Sequence, residues 1–212
     1  MTRPALEFWY EFASTYSYLS VMRIEAAAEA AGVDVVWRPF LLGPVFLSLG
    51  WNDSPFNIYP PKGRYMWRDL ARLAAKYDLP FRMPSRFPRN GLLAARVALA
   101  GTSEGWTPAF SRAVMTASFA DDRDIGEPEV IASLLDGLGL PSAAIIDRAT
   151  ADENKQALRL QTEHAAETGL FGAPSFRIGE ELFWGNDRLE DALAWALSAP
   201  ASGSDTTAGA PR

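Results

Sequence analysis

The turn Ala13-Ser14-Thr15-Tyr16-Ser17-Tyr18 lies where an aromatic, strand-like run gives way to a helical one. A helix starting there presents unpaired N–H groups and a partial positive charge, which together favour an anion. Ser14 could cap that helix or donate its hydroxyl proton to the anion, and the two roles are only partly compatible. Far along the chain, Ala173-Pro174 precedes a later strand-like run, and Gly185-Asn186-Asp187 precedes the last helical run. Their plain readings are a turn and a helix cap. Lys62, after Pro60-Pro61, could meet a substrate carboxylate, although most lysines are simply solvated. The chain has no cysteine and one histidine, His164. That excludes disulfides, thiolate metal sites, a cysteine nucleophile, dithiol redox chemistry and a His-rich metal site. No metal site is expected, and His164 reads as structural or surface.

The elements that must position these residues follow from pattern. Leu6 to Phe12 reads as a buried strand. The helix after Ser14 ends at Gly32, a natural stop. "VDVVWRPF" is a second strand, with Pro39 closing its ladder or placing it on an edge. This β-α-β unit predicts a parallel pair with a right-handed crossover. From Leu41 to about Pro61 the glycines and prolines predict loop. From Lys62 to about Ala166 the chain reads as mainly helical, beginning with an apolar face of Tyr65, Met66, Leu70, Leu73 and Ala74. Strands return as a hairpin, Ser175 to Ile178 and Leu182 to Trp184, around Gly179. A last helix, Arg188 to Leu197, puts Leu189, Ala192, Leu193, Ala196 and Leu197 on one face.

A helical block between two halves of a β/α sheet reads as an insertion. The expected fold class is therefore α/β, a thioredoxin-like fold with a large helical insertion. Residues 1–42 and 167–198 would form the thioredoxin-like part and 43–166 the insertion. Residues 199–212, small, polar and rich in Pro and Gly, read as a disordered tail.

With 212 residues, 48% of them hydrophobic, the chain can build one sizeable core. The net charge is -6, acids and bases are interspersed, and no basic stripe is visible in the sequence. Nucleic-acid binding is not expected. No apolar run reaches a membrane span, and the first twelve residues do not read as a secretory signal. The default compartment is the cytoplasm.

Three segments, "FWYEFASTYSYL", "FGAPSF" and "FWGNDRLEDAL", together resemble the DsbA-related thioredoxin-fold family of 2-hydroxychromene-2-carboxylate isomerases and kappa-class glutathione transferases. "WRPFLLGPVF", "SPFNIYPPKGRYMWRD" and "RFPRN" add to the likeness, which covers about residues 6 to 198. In that family a serine stands where thioredoxins carry their first cysteine, and the residue after it is usually proline. Here those positions are Ser14 and Thr15.

The resemblance implies that the junction serves an external thiol, that of glutathione, with Ser14 donating to the thiolate. A free thiol has a pKa of roughly 8.5, which a helix N-terminus can lower by a unit or more. It further implies a cis Ala173–Pro174 bond, with the Ala173 backbone pairing with the cysteine part of glutathione. Asp187 would meet the γ-glutamyl ammonium, while Asn186 and nearby backbone N–H groups take its carboxylate. Asn57 would reach the cleft, with Asn52 a rival for that role, and Lys62 would meet the substrate. Trp51, Phe56 and Tyr59 could line an apolar pocket, although most such aromatics are core.

The implied activity is a glutathione-dependent isomerisation of an intermediate in aromatic degradation, in a homodimer. The alternatives are a kappa-like transferase or peroxidase, and a non-catalytic thioredoxin-fold binding protein. The joint presence of Ser14, Ala173-Pro174 and Asn186-Asp187 weighs against the last.

Overall fold

The computed structural model describes residues 3–198; the tail expected at 199–212 lies outside the described residues. Strand β1 (Ala5–Tyr10) leads into helix α1 (Thr15–Ala31) and strand β2 (Asp34–Pro39). Helices α2 (Leu42–Ser48), α3 (Pro55–Ile58), α4 (Pro60–Lys76), α5 (Leu92–Ala100), α6 (Thr107–Phe119), α7 (Pro128–Gly137), α8 (Ser142–Thr150) and α9 (Asp152–Glu167) follow. Strands β3 (Ser175–Ile178) and β4 (Glu181–Trp184) and helix α10 (Leu189–Ser198) close the chain. The sheet order is β2-β1-β3-β4, with β1 parallel to β2 and antiparallel to β3, the thioredoxin arrangement. β2 is an edge, as Pro39 predicts, and Tyr10↔Pro39 is its last pair.

β1 is central, with one face wholly apolar and Trp9 buried on the other. Leu6, Phe8 and Tyr10 join the main core, where Phe8 stacks on Phe176 at 5.5 Å and meets Trp37 edge-on at 5.2 Å. Burying a side chain such as Phe8 is worth about 1.5–3 kcal/mol, and favourable aromatic geometry adds to it. On the other face Trp9 packs with Phe40, Val45, Ala165 and Leu170, which brings α9 onto the sheet. Residues of the 43–166 segment, such as Leu70, Ala94, Phe110 and Ile131, share the main core with Phe8 and Phe176.

Several local expectations need correction. β1 ends at Tyr10, so Glu11 and Phe12 leave the ladder before the turn. The predicted loop from Leu41 to Pro61 contains two helices, α2 and α3. Pro55 opens α3 at a position where its missing N–H costs nothing, and the Ser54 side chain accepts from Phe56 N–H. Tyr65 and Leu197, expected on apolar faces, are 62% and 56% exposed. α4 also carries an exposed basic set, Lys62, Arg64, Arg68, Arg72 and Lys76, against one acid, Asp69. Helical spacing gathers charges that look dispersed in the linear sequence.

Candidate active site

The site forms at the C-terminal end of β1, where the chain turns into α1. Ser14 is the N-cap of α1, with φ -86° and ψ 122°, and its Oγ accepts from Ser17 N–H at 3.2 Å. The same Oγ donates to the carbonyl oxygen of Ala173 at 2.9 Å. Ser14 is therefore a helix cap, and its one proton rests on a backbone carbonyl. Thr15, in the position where proline is usual, is buried as the first residue of α1. The first turn of α1 holds no acid, so its positive end is not neutralised by its own side chains. Ser14 itself is half-buried and reachable.

The Ala173–Pro174 bond is cis. Gly185 N–H donates to Pro174 O at 2.9 Å, so the loop after β4 is fastened to the same segment. Ser20 of α1 completes the triangle by donating to Asn186 Oδ1 at 3.2 Å. Three stretches far apart in sequence, around Ser14, Ala173 and Gly185, are thus joined by hydrogen bonds. The Ser14 bond alone spans 159 positions.

Asn186 differs from expectation. It is only 2% exposed. Its Oδ1 also accepts from Arg23 Nη1 at 3.1 Å, and its Nδ2 donates to the Tyr77 hydroxyl at 3.5 Å. The Arg23 guanidinium lies 3.7 Å from the Tyr77 ring centroid and pairs with Glu190. The Asn186 side chain is an internal anchor, committed to α1 and to the end of α4. With Oδ1 and Nδ2 bonded inward, the side chain is not presented to the surface in this structure. Asp187 is placed differently: its side chain is 71% exposed and pairs with Arg188 at 3.0 Å. It is no cap either, because a 3-10 turn, Asn186–Arg188, precedes α10 and Gly185 occupies its cap position without a side-chain bond.

The α3–α4 corner reaches the site through Tyr16. Its ring lies 6.2 Å from Phe56, and its hydroxyl donates to Asp69 Oδ2 at 3.0 Å. Burial and then the Asp69 bond push the Tyr16 phenol well above its usual pKa. Lys62 Nζ lies 5.5 Å from the Phe56 ring centroid, which links the first turn of α4 to Tyr16 and the Ser14 turn. Asn57 is exposed and donates to the Asp53 carboxylate at 3.1 Å, within its own corner. Trp51 packs on Phe46 at 5.6 Å, and Tyr59 is 57% exposed. Of the three proposed pocket aromatics, Phe56 alone contacts the Ser14 turn through a described ring pair. His164 is exposed, 6.0 Å from the Trp9 ring.

Sequence reasoning missed Glu11. It is 6% exposed, and burial pushes its carboxyl up to about 7, against the backbone N–H groups of Leu42, Ala13 and Phe12 that favour the anion. The available signal was an acid within the apolar run "FWYEFA". Glu7, in the same run, is answered by Arg38 at 2.9 Å.

A thioredoxin-like sheet with a serine at the turn from its central strand into the first helix defines the class of this protein. The family model described as a DSBA-like thioredoxin domain matches residues 5–196, and the chain belongs to that family. It is 28% identical over 193 residues to 2-hydroxychromene-2-carboxylate isomerase of Sphingobium xenophagum, covering 87% of this chain and 94% of the relative. It is 25% identical over 206 residues to glutathione S-transferase kappa 1 of Rattus norvegicus, covering 91% and 90%. Among solved structures, a 2-hydroxychromene-2-carboxylate isomerase superposes with a TM-score of 0.82 at 24% identity, over 92% of this chain and 94% of that one. Among the described residues no cluster of His, Cys, Asp and Glu could hold a metal, and no helix is long and apolar enough to cross a membrane.

Proposed function

We propose that this protein is a glutathione-dependent isomerase acting on a conjugated, acidic aromatic compound, with Ser14 as its catalytic residue. The observation that carries the reading is the shared hydrogen bond between Ser14 Oγ and Ala173 O at the mouth of α1. The donor set suits a peptide bearing a thiolate: a reachable hydroxyl, helix N–H groups and an adjacent backbone carbonyl. Bound glutathione would supply a thiolate that adds reversibly to the substrate, so that a double bond becomes single, rotates and re-forms.

The chain's own residues account for the rest. Ala173 O accepts one donor, Ser14, in this structure. A peptide N–H of the ligand arriving at Ala173 would replace that donor, and the Ser14 proton would turn to the sulfur. The anchor would thereby release the group that stabilises the anion. Asp187 would leave Arg188 for the ligand's ammonium. Because the Asn186 side chain is committed, the ligand carboxylate would rely on backbone N–H groups of the Asn186–Arg188 turn. Lys62, beside Phe56, would meet the substrate carboxylate, and Asn57 or Asn52 would border the cleft. Ala173 and Pro174 would present the backbone edge along which glutathione lies.

The relation to kappa-class transferases supports a second reading, in which the site forms a glutathione conjugate. Incubation with 2-hydroxychromene-2-carboxylate and glutathione, followed by product analysis, separates the two. The proposal expects an isomer with glutathione intact. Consumption of glutathione into a conjugate would favour the transferase, and failure of glutathione to bind in calorimetry would remove both.

A further inference from the structure

We propose that Glu11 is a positioning residue of the Ser14 site, whose carboxylate holds the Ala13 peptide of the active turn and the first peptide of α2 in one bracket. The proposal deepens the reading of Ser14 as the catalytic residue and rests on it for its kinetic part alone.

Glu11 Oε2 accepts from Leu42 N–H at 2.9 Å, and Oε1 accepts from Ala13 N–H at 3.3 Å. The Glu11 backbone completes the hold: its carbonyl accepts from Ser14 N–H at 3.0 Å, and its N–H donates to Ser17 Oγ at 3.4 Å. One residue thus contacts the turn, the first turn of α1 and the start of α2. The third wall is Gly91. A Cβ there would stand 2.8 Å from Glu11 Oε1 and 3.1 Å from Phe12 Cβ, so only glycine fits without displacing the carboxyl group.

The bracket depends on the ionised form. Two N–H groups on separate segments point at the two oxygens, and a proton on either oxygen puts a donor against a donor or removes an acceptor. No described side chain offers a counter-charge. α2 carries no charged residue. Arg89, on the Gly91 segment, bonds Ser118 O and Asp122, while Asn90 Oδ1 accepts from Leu92 N–H. Tyr10 bonds Ser111, and Leu41 N–H donates to Thr162 of α9. Backbone dipoles alone face the carboxylate, and burial sets its midpoint near neutrality.

The test is an NMR titration of the full chain from pH 5 to 9 without glutathione. The Glu11 carboxyl carbon and the Ala13 and Leu42 amides should share one midpoint near 7, and both amide titrations should vanish in Glu11→Gln. Amides that stay flat in the wild type, or that still titrate in the variant, would overturn the bracket. This readout needs neither a ligand nor the variant to give a negative answer, so it stands if glutathione proves not to bind. With glutathione and substrate, kcat should rise several-fold with pH across the same midpoint while the KM for glutathione stays level. Glu11→Gln should flatten that limb, leaving only the part that follows the glutathione thiol, which ultraviolet titration of bound glutathione measures separately. A limb unchanged in Glu11→Gln, or activity falling as pH rises through 7, would show that Glu11 does not position Ser14.

Discussion

Ser14 Oγ lies 2.9 Å from the carbonyl oxygen of Ala173, across the junction of α1 with the segment that enters β3. The bond gives the hydroxyl a fixed direction, and under the proposed function the ligand's docking edge and its thiol partner are this one pair of atoms. In Ser14→Ala two effects should separate. The protein should lose about 1 kcal/mol of stability with its cap, and the thiol of bound glutathione should rise by roughly one to two pKa units. Ultraviolet titration of thiolate absorbance measures the second effect. A titration identical to the wild type would leave Ser14 as a cap only.

Asn186 and Asp187 are neighbours in opposite settings, the first buried and bonded inward, the second exposed. Asp187→Asn should weaken glutathione binding by roughly 1–3 kcal/mol, the scale of a charge-assisted hydrogen bond, with little change in stability. Asn186→Ala strands Arg23, Ser20 and Tyr77 around a void and should lower stability by about 1–3 kcal/mol. Calorimetry and thermal melts on both variants resolve the pair. Unchanged affinity in folded Asp187→Asn would remove that residue from the site.

Lys62→Ala should raise the KM for an acidic aromatic substrate and leave glutathione affinity nearly intact. The basis is its place against Phe56, which reaches the Ser14 turn through Tyr16. Equal losses for both ligands, or none, would mean that Lys62 is a solvated surface residue.

Glu11 makes a thermodynamic prediction free of any ligand. Its folded pKa is raised from 4.5 to about 7 by burial, so between those values the folded state holds more protons than the unfolded one. Stability from this group therefore falls as pH rises from about 4.5 through 7, by at most about 3 kcal/mol. Glu29, Glu104, Asp122 and Asp152 have lowered pKa values and act in the opposite sense, in more acid solution. The difference between Glu11→Gln and the wild type isolates Glu11. It should favour the variant increasingly from pH 5 to pH 8, and a difference independent of pH would contradict the raised pKa.

Much of the fold was legible because its signals are local. The aromatic run of β1, the stop at Gly32, where φ is 71°, and the hairpin around Gly179 each follow from a short stretch. The Leu41–Pro61 region misled because its prolines sit at helix starts, where proline is harmless. Ser14 and Ala173 could be picked out by type and position, and the fold joins them by a hydrogen bond, while Asp187, picked out the same way, lies exposed beside Arg188. Asn186 could not be judged, because its burial is created by Arg23 and Tyr77, distant in the chain. Glu11 looked like one acid among many, because its partners are backbone N–H groups, which carry no mark in a sequence.

The central claim is that glutathione lies with its sulfur at Ser14. Ser14→Cys tests it most directly, since no other cysteine exists to confuse the result. The new thiolate would attack oxidised glutathione, forming one mixed disulfide and releasing one reduced glutathione. Mass spectrometry should show this adduct forming many-fold faster with oxidised glutathione than with hydroxyethyl disulfide. A cysteine at the exposed Ser103 should show no comparable preference. The same modest ratio at both positions would contradict the account.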